Sequence, residues 1–125
     1  MIFGIGIDIF EIKRMERNLG NASFMKEVFH PSEIKSGAAK EKKAQYFSGL
    51  FCAKEAFYKA CGTEIQKNLS FKDAVVKSTK SGSPQIVVSK KIRGIFKDNC
   101  IEKIHVSLSH TAEYATAIVI LESRI

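Results

Sequence analysis

Two carboxylates and one lysine in this chain could together hold a metal ion against a phosphate. Glu55 and Lys59 are one helical turn apart in the stretch AKEAFYK, and Asp8 follows two glycines in the stretch GIGID. Magnesium prefers oxygen ligands and is typically held by one or two carboxylates together with the phosphates of a substrate. Asp8 and Glu55 would supply the carboxylates, and Lys59 would neutralise a phosphate. The glycines would leave bare backbone beside Asp8 for the close approach of a phosphate or another chain.

The same residues also allow purely structural interpretations. A glutamate followed four residues later by a lysine is the favourable order for a helix salt bridge, which contributes about 0.3–0.5 kcal/mol. Asp8 could instead end the first strand and cap the next helix, with Glu11 three residues later completing a capping box. From each stretch alone, the structural and the functional interpretation both stay open.

A third polar stretch, HVSLSHT, covers residues 105–111. On a strand, the side chains of Ser107 and Ser109 would lie on one side and that of His110 on the other. Ser109 and His110 are therefore poorly placed as nucleophile and base, and no acid that could orient the histidine is nearby. The stretch is typical either of an exposed edge strand or of a turn that offers hydroxyls and an imidazole to a phosphate or nucleotide. In the second case the contacting residues would be Ser109, His110 and Thr111.

The elements that must position these residues follow from hydrophobic periodicity and from breaker residues. Isoleucine alternates with glycine in a first strand over 2–7, and Ile5, Ile7 and Ile9 share one face. The segment 38–61, alanine-rich in its second half, predicts one long helix that packs closely on a sheet, with Gly62 as the residue that ends it. The remaining predicted elements are helices over 9–19, 23–29, 31–37 and 90–98, and strands over 71–78, 85–89, 104–110 and 114–121.

This order of elements predicts an α+β fold, because several helices precede a mainly antiparallel set of strands with one inserted helix. A length of 125 residues without a break in composition indicates a single domain over 1–125. No apolar run approaches the roughly 18 to 20 residues that span a bilayer. The apolar start of the chain lacks a basic segment before it and a small-residue cleavage site after it, so we expect a cytoplasmic protein.

The three cysteines predict neither a disulfide framework nor a zinc site. Their number is odd, Cys52 and Cys61 are nine residues apart, and Cys100 is remote. We expect all three thiols to be reduced and Cys52 and Cys61 to fill the core.

The formal net charge of +7 indicates an anionic partner. A nucleic-acid-binding module would also need aromatic residues interleaved with the basic ones and a recognisable binding motif. The nine phenylalanines lie mostly at positions with core periodicity instead. We therefore expect no nucleic acid and no membrane among the partners, and an acidic protein or a phosphorylated cofactor in their place.

In combination, these stretches resemble the holo-acyl-carrier-protein synthase family, the small 4′-phosphopantetheinyl transferases. Each piece alone is weakly specific, whereas their order and separation together are highly specific. The resemblance implies the fold of that family, a long helix packed on a small, mainly antiparallel sheet, and it favours the functional interpretation of Asp8 and Glu55. Its motifs are GIGIDI at 4–9, FCAKEAFYKACGT at 51–63, LSFKD at 69–73, SGSPQI at 81–86 and HVSLSHTAEYATAIVI at 105–120.

The resemblance implies transfer of the 4′-phosphopantetheine arm of coenzyme A to a serine of an apo-acyl carrier protein, in the service of fatty acid biosynthesis. The products would be the holo carrier and adenosine 3′,5′-bisphosphate. By this analogy Asp8 and Glu55 hold Mg²⁺, and Lys59 stabilises the charge that develops on the leaving group. Either Glu55 or a metal-bound water would take the proton of the serine. The residues implied to contact coenzyme A are Lys42, Lys59, Gly62, Ser109, His110 and Thr111.

The resemblance also implies a homotrimer with active sites at the subunit interfaces. Acyl carrier proteins are acidic, and Lys13, Arg14 and Arg17 lie on the exposed side of the helix predicted after Asp8. We expect this face to dock the carrier protein, with Arg14 as the best-matched residue.

Three positions depart from the pattern of the family. Leu50 stands where many relatives carry an arginine, so one phosphate contact is missing and a non-catalytic coenzyme A-binding subunit is an alternative. Lys42 stands where relatives often have arginine, and a lysine holds a phosphate less rigidly. Glu27 stands where an arginine facing the carrier could lie, which changes the docking details and not the class of reaction.

Overall fold

The computed structural model describes residues 1–125 and places one long helix across a three-stranded sheet. The chain forms six helices and five strands, and a short 3-10 turn at Phe71–Asp73 precedes the second strand. In chain order they are β1 (Ile2–Glu11), α1 (Ile12–Asn18), α2 (Ala22–Val28), α3 (Pro31–Ala38), α4 (Lys43–Cys61), α5 (Thr63–Gln66), β2 (Ala74–Ser78), β3 (Pro84–Val88), α6 (Lys90–Asp98), β4 (Ile101–His110) and β5 (Tyr114–Ser123).

The main sheet has the order β1-β5-β4, with both pairings antiparallel. β2 and β3 form a separate antiparallel hairpin around the turn sequence SGSP. The α+β class with a long helix on a mainly antiparallel sheet is therefore confirmed. None of the six helices has the combination of length and apolar character that crossing a membrane requires.

Close packing of α4 on β1 determines how the molecule is built. Ala56 and Ala60 are buried on the face of α4 that meets the sheet. Gly4 and Gly6 on β1 lie directly under them, and a methyl group built on either glycine would overlap a backbone carbonyl oxygen of α4. Helix and strand backbones thus touch, which is possible only because these residues have small side chains or none.

The first strand is longer than predicted, and this corrects the capping interpretation of Asp8. β1 continues through Asp8 to Glu11, because residues 8–11 pair with Ala117 to Tyr114 of β5. Thr116 adds a hydrogen bond from its hydroxyl to the Asp8 carbonyl oxygen at 2.7 Å. Glu11 is the residue before α1 and makes no side-chain cap. The predicted N-cap at Asp8 and its capping box with Glu11 are wrong, since pairing with a distant strand outweighs a local capping pattern.

The start of the long helix also differs from the prediction, whereas its end is confirmed. α4 begins at Lys43 and not at residue 38, because α3 runs to Ala38 and a turn separates the two helices. That turn lets Gly37 pack directly on the ring of Phe47. α4 ends at Cys61 as predicted, and Gly62 follows with a φ of 81°, a value that favours glycine.

Smaller differences concern the ends of other elements. The one-turn helix α5 lies outside every predicted helix. The 3-10 turn delays β2 to Ala74, and β4 and β5 extend beyond their predicted limits to begin at Ile101 and end at Ser123. Cys52 and Cys61 are buried in the core as expected, and all three thiols are unpaired.

The face that Ile5, Ile7 and Ile9 share points away from α4. These side chains are 55%, 63% and 66% exposed, and Ile118 of β5, which pairs with Ile7, is 38% exposed. One face of the main sheet is therefore covered by α4, and the opposite face carries an uncovered apolar patch, which we call the isoleucine face.

We predict that Gly6→Ala strongly destabilises the protein, because the new methyl group would overlap the Ala56 carbonyl oxygen and push helix and strand apart. Overpacking of this kind costs about 1–3 kcal/mol, and more where only backbone can yield. The matched control is Gly94→Ala on α6, where a methyl group meets nothing within 4 Å. That change should stabilise by up to about 1 kcal/mol. Thermal or urea unfolding measures both, and equal effects of the two changes would contradict the close contact.

Candidate active site

Asp8 and Lys59 meet where α4 crosses β1. Asp8 lies on the same face of β1 as the two glycines, so its side chain points towards the helix and is 15% exposed. Lys59 Nζ lies 3.2 Å from Asp8 Oδ1 and donates a hydrogen bond to the Ile7 carbonyl oxygen at 2.9 Å. The lysine side chain itself is 51% exposed, so its ammonium group remains open to an anionic ligand.

Glu55 lies one turn before Lys59 and is half-buried. Burial raises its pKa, the negative charge of Asp8 raises it further, and Lys59 counteracts both. The two carboxylates therefore interact electrostatically, and a cation between them would be favoured. Glu55 forms no ion pair with Lys59, whose partner is Asp8. The interpretation of Glu55 and Lys59 as a simple helix salt bridge is thus wrong in this structure.

The donor set suits a magnesium ion that is shared with a substrate. No group of three or more histidine, cysteine, aspartate or glutamate side chains is placed to hold a metal ion. Two carboxylates from facing elements remain, which is the number that Mg²⁺ uses when water and substrate phosphates complete its coordination. Asp8 and Glu55 therefore fit the metal that the sequence implied for them.

A cavity of about 350 Å³ begins at Glu55 and extends between α4 and the segment before β2. Most of its surface is apolar, with the hydroxyl of Ser70 and the carboxylate of Glu55 among its few polar groups. Its lining consists of Lys54, Glu55, Phe57, Tyr58, Leu69, Ser70, Phe71 and Ala74. We call it the Glu55 cavity.

A second cavity, of about 430 Å³, lies at the other end of α4. It brings together Lys42, Ser109 and His110, three of the residues predicted to bind coenzyme A. Gln45 Nε2 and His110 Nε2 are 3.4 Å apart, so the imidazole is close to the first turns of α4. We call this space the His110 cavity.

Several residues of the His110 cavity were not predicted from the sequence. Lys40 and Lys77 add positive charge to it, and Gly82 and Pro84 of the hairpin turn contribute to its wall. The sequence features that contain these residues are the lysine-rich run before α4 and the SGSP turn. By themselves, such patterns are typical of a solvated segment and of a hairpin. Leu50, in place of the arginine of many relatives, is buried and lines the same cavity.

Thr111 and Gly62, the other two residues predicted to contact coenzyme A besides Lys59, line neither cavity. The hydroxyl of Thr111 accepts hydrogen bonds from the backbone N–H groups of Glu113 and Tyr114, at 3.2 and 3.1 Å. It therefore shapes the turn that follows Ser109 and His110. Gly62 lies exposed at the end of α4, beyond Lys59, and lines neither cavity.

The chain does not bring the two groups of predicted residues into one cavity. Gln45, beside His110, and Glu55 are ten residues apart on α4, which corresponds to about 15 Å along the helix axis. Asp8, Glu55 and Lys59 thus form one part of a site, and Lys42, Ser109 and His110 form another.

Neither group of predicted site residues contains a cysteine that could act as a nucleophile. The Cys52 thiol donates a hydrogen bond to the Ala115 carbonyl oxygen at 3.4 Å. Burial, followed by the charge of Asp8, raises the pKa of Cys52 to about 12, and burial does the same for Cys61. Such thiols stay protonated and are inert.

Comparison with known proteins identifies the family. A model of the 4′-phosphopantetheinyl transferase superfamily matches residues 4–119. A holo-[acyl-carrier-protein] synthase from a Geobacter strain is 38% identical over 124 residues, which cover 98% of this chain and 99% of the relative. This chain belongs to the holo-acyl-carrier-protein synthase family.

Solved structures of family members confirm the fold. The holo-[acyl-carrier-protein] synthase of Neisseria meningitidis superimposes with a TM-score of 0.90 at 30% identity, and the match covers 98% of this chain and 100% of that one. The synthase of Bacillus anthracis, in complex with CoA (3′,5′-ADP), matches with a TM-score of 0.82 at 36% identity over 98% of both chains. The expected phosphopantetheinyl transferase fold is therefore confirmed.

The basic residues expected to dock the carrier are exposed in this family member. Lys13, Arg14 and Arg17 lie on the outer side of α1, while Ile12 and Met15 face the core. The guanidinium group of Arg14 lies 5.1 Å from the centre of the Phe10 ring, which limits its freedom and keeps its charge at the surface.

Proposed function

We propose that this protein transfers the 4′-phosphopantetheine group of coenzyme A to a serine of an apo-acyl carrier protein. The products are the holo carrier and adenosine 3′,5′-bisphosphate. The observation that carries the proposal is the convergence of Asp8, Glu55 and Lys59 at the crossing of α4 and β1, in a chain that matches the family over residues 4–119. We propose that residues 1–125 act as a single transferase domain in the cytoplasm and serve fatty acid biosynthesis.

Phosphoryl-type transfer asks the protein mainly for positioning and for neutralisation of charge, and a covalent nucleophile is not needed. When bound between Asp8 and Glu55, Mg²⁺ would neutralise the diphosphate of coenzyme A. Lys59 supports this role because its ammonium group is half-exposed and already directed at this position by Asp8 and the Ile7 carbonyl oxygen. It can donate to a phosphate oxygen as charge develops on the leaving group.

Glu55 is our proposed acceptor of the proton from the carrier serine. Burial and the nearby Asp8 raise its pKa in the metal-free protein. With a metal ion on one carboxylate oxygen, the other oxygen of Glu55 would remain to accept the proton. Glu55 lines the Glu55 cavity but is only half-buried, so the serine can approach it from the solvent side. The same cavity suits the pantetheine arm, because it is largely apolar and starts where the diphosphate would be held.

The nucleotide end of coenzyme A is assigned to the His110 cavity. Lys42, Lys40 and Lys77 provide positive charge for its phosphates. Ser109 and His110 add a hydroxyl and an imidazole at the end of β4, just before the turn that Thr111 shapes. We propose Gly62 as a contact near Lys59, where exposed backbone allows close approach.

We propose that the active site is completed between subunits of a homotrimer. The separation of about 15 Å along α4 between the two groups of residues in one chain supports a site built from two chains. The isoleucine face supports an assembly as well, since contiguous exposed apolar surface is typical of an interface. Three copies is the number that the family resemblance implies.

The transfer reaction itself is tested by mass spectrometry of apo-acyl carrier protein incubated with the protein, coenzyme A and magnesium. We expect a mass gain of one phosphopantetheine group that disappears on chelation and in Asp8→Ala and Glu55→Ala. Removal of these ligands should lower the rate by at least about a hundredfold, the scale on which loss of transition-state charge stabilisation acts. Binding of coenzyme A with no mass gain would instead support a non-catalytic subunit and overturn the proposal.

The docking face is tested by Arg14→Glu. Acyl carrier proteins are acidic, so reversal of one exposed charge on α1 should raise the KM for the carrier several-fold. The affinity for coenzyme A should stay nearly unchanged, because Arg14 contacts Phe10 and lines neither cavity. A collapse of coenzyme A affinity in this variant would show that α1 is not the docking face.

The assembly is tested by analytical ultracentrifugation. We expect a trimer at micromolar concentration for the natural sequence. Ile7→Glu, which places a charge in the middle of the isoleucine face, should shift the protein to monomers and reduce transfer. Lys67→Glu is the matched control on the exposed surface of the same chain. A natural protein that sediments as a monomer and still catalyses transfer would contradict the shared site.

A further inference from the structure

A fully buried ion pair lies directly beside the proposed metal ligand. Lys54 Nζ is 2.9 Å from Glu33 Oε1, and the two side chains are 1% and 0% exposed. Glu33 also accepts hydrogen bonds from the backbone N–H groups of His30 and Val76, both at 2.8 Å. Its two oxygens thus bind the start of α3, the lysine of α4 and a residue of β2.

The ammonium group of Lys54 uses its remaining donors on the segment before β2. It donates to the carbonyl oxygens of Phe71 and Ala74, at 2.9 and 2.7 Å. Both residues are part of the wall of the Glu55 cavity, and Lys54 contributes to the same lining. The ion pair therefore connects α3 and α4 to the cavity wall that faces Glu55.

Stability alone is a weak explanation for this pair. Removing two charges from water is costly, and replacement of a buried ion pair by apolar residues is often neutral or even stabilising. Burial lowers the pKa of Lys54, and the charge of Glu33 counteracts this. What the pair provides is geometry, since several directed hydrogen bonds hold three elements at one point.

A second ionic contact holds the same wall from its other side. Asp73 Oδ2 accepts hydrogen bonds from the backbone N–H and the hydroxyl of Ser70, at 2.8 and 3.1 Å. The same oxygen lies 3.1 Å from Lys91 Nζ. Charged side chains thus contact the segment 70–74 from two sides, Lys54 at Phe71 and Ala74 and Lys91 at Asp73. These directed contacts restrict the conformation of the cavity wall.

We propose that Lys54, held by Glu33, is a positioning residue that fixes the wall of the Glu55 cavity against which the pantetheine arm of coenzyme A lies. The inference rests on the proposed function, because that function assigns the arm to this cavity. Lys54 itself touches neither the diphosphate nor the metal in this arrangement. Its effect reaches the substrate through the carbonyl groups that it holds in place.

The test compares the affinity for coenzyme A with that for adenosine 3′,5′-bisphosphate, which lacks the arm. Glu33→Gln combined with Lys54→Met removes both charges, so neither is left buried and unpaired. In this double variant we expect coenzyme A to bind about tenfold more weakly or worse, because a displaced wall misplaces the arm. Affinity for the bisphosphate, measured by the same calorimetry, should stay within about twofold. Glu33 reaches the His110 cavity only through the backbone N–H of Val76, and the amide oxygen of the glutamine can still accept that hydrogen bond. Lys67→Met, an exposed lysine paired with Glu64, is the matched control and should change neither affinity.

Each other outcome overturns the inference. Unchanged affinities in the folded double variant would show that the pair serves the fold alone. A parallel loss of both affinities would show a general effect on the structure and not a positioned wall. If the natural protein binds neither ligand, the proposed function fails and the inference with it. If the natural protein binds and transfers normally, and only the selective loss is missing, the inference alone fails.

A second variant keeps the test decisive if the double variant does not fold. Asp73→Asn weakens the other attachment of the same wall and retains an oxygen that can accept from Ser70. We expect the same selective loss of coenzyme A affinity, smaller in size, with the bisphosphate unaffected. If Asp73→Asn leaves both affinities unchanged, or lowers both by the same factor, the inference is overturned.

Discussion

The contact between the backbones of α4 and β1 is the constraint on which the rest of the structure depends. Gly4 and Gly6 have no side chain to keep the helix away, and Ala56 and Ala60 offer only methyl groups in return. At this short separation the side chain of Asp8, on the same face of the strand, reaches the helix at Lys59. A larger residue at either glycine would move Asp8 of β1 away from Glu55 and Lys59 of α4, on which the proposed chemistry depends.

The negative charges at the crossing of α4 and β1 are only partly neutralised by the protein itself, which favours the binding of a cation. Asp8 and Glu55 repel each other, and the repulsion contributes to the raised pKa of Glu55. Lys59 compensates only in part, because it contacts Asp8 and remains half-exposed. Lys54 precedes Glu55 on α4, and its fully buried pair with Glu33 of α3 has the opposite character, since all of the charged atoms are satisfied within the protein. Neighbouring residues on α4 thus have opposite surroundings, because Glu55 is half-buried without an ion-pair partner and Lys54 is buried and paired.

The two faces of the main sheet have different roles. One is closed by α4 and contains the core, with Ala115, Ala117 and Val119 of β5 buried beneath the helix. The other exposes the isoleucine face, which no element of the chain covers. The two groups of predicted site residues lie about 15 Å apart along α4, and the assembly that we propose would place a second copy of the chain against the uncovered surface.

The amino-acid sequence by itself determined the α+β class, the end of α4 at Gly62, the burial of Cys52 and Cys61, and the family. These features follow from periodicity, breaker residues and motif spacing, all of which are local or directly legible along the chain. Only the tertiary structure decided that Asp8 continues a strand, that Lys59 pairs with Asp8 and not with Glu55, and that Lys54 is buried against Glu33. The physical reason is that each of these contacts joins residues far apart in the chain. Asp8 pairs with Ala117 across the sheet, and Lys54 meets Glu33 from another helix, so packing outweighed the local patterns that favoured a cap and a salt bridge.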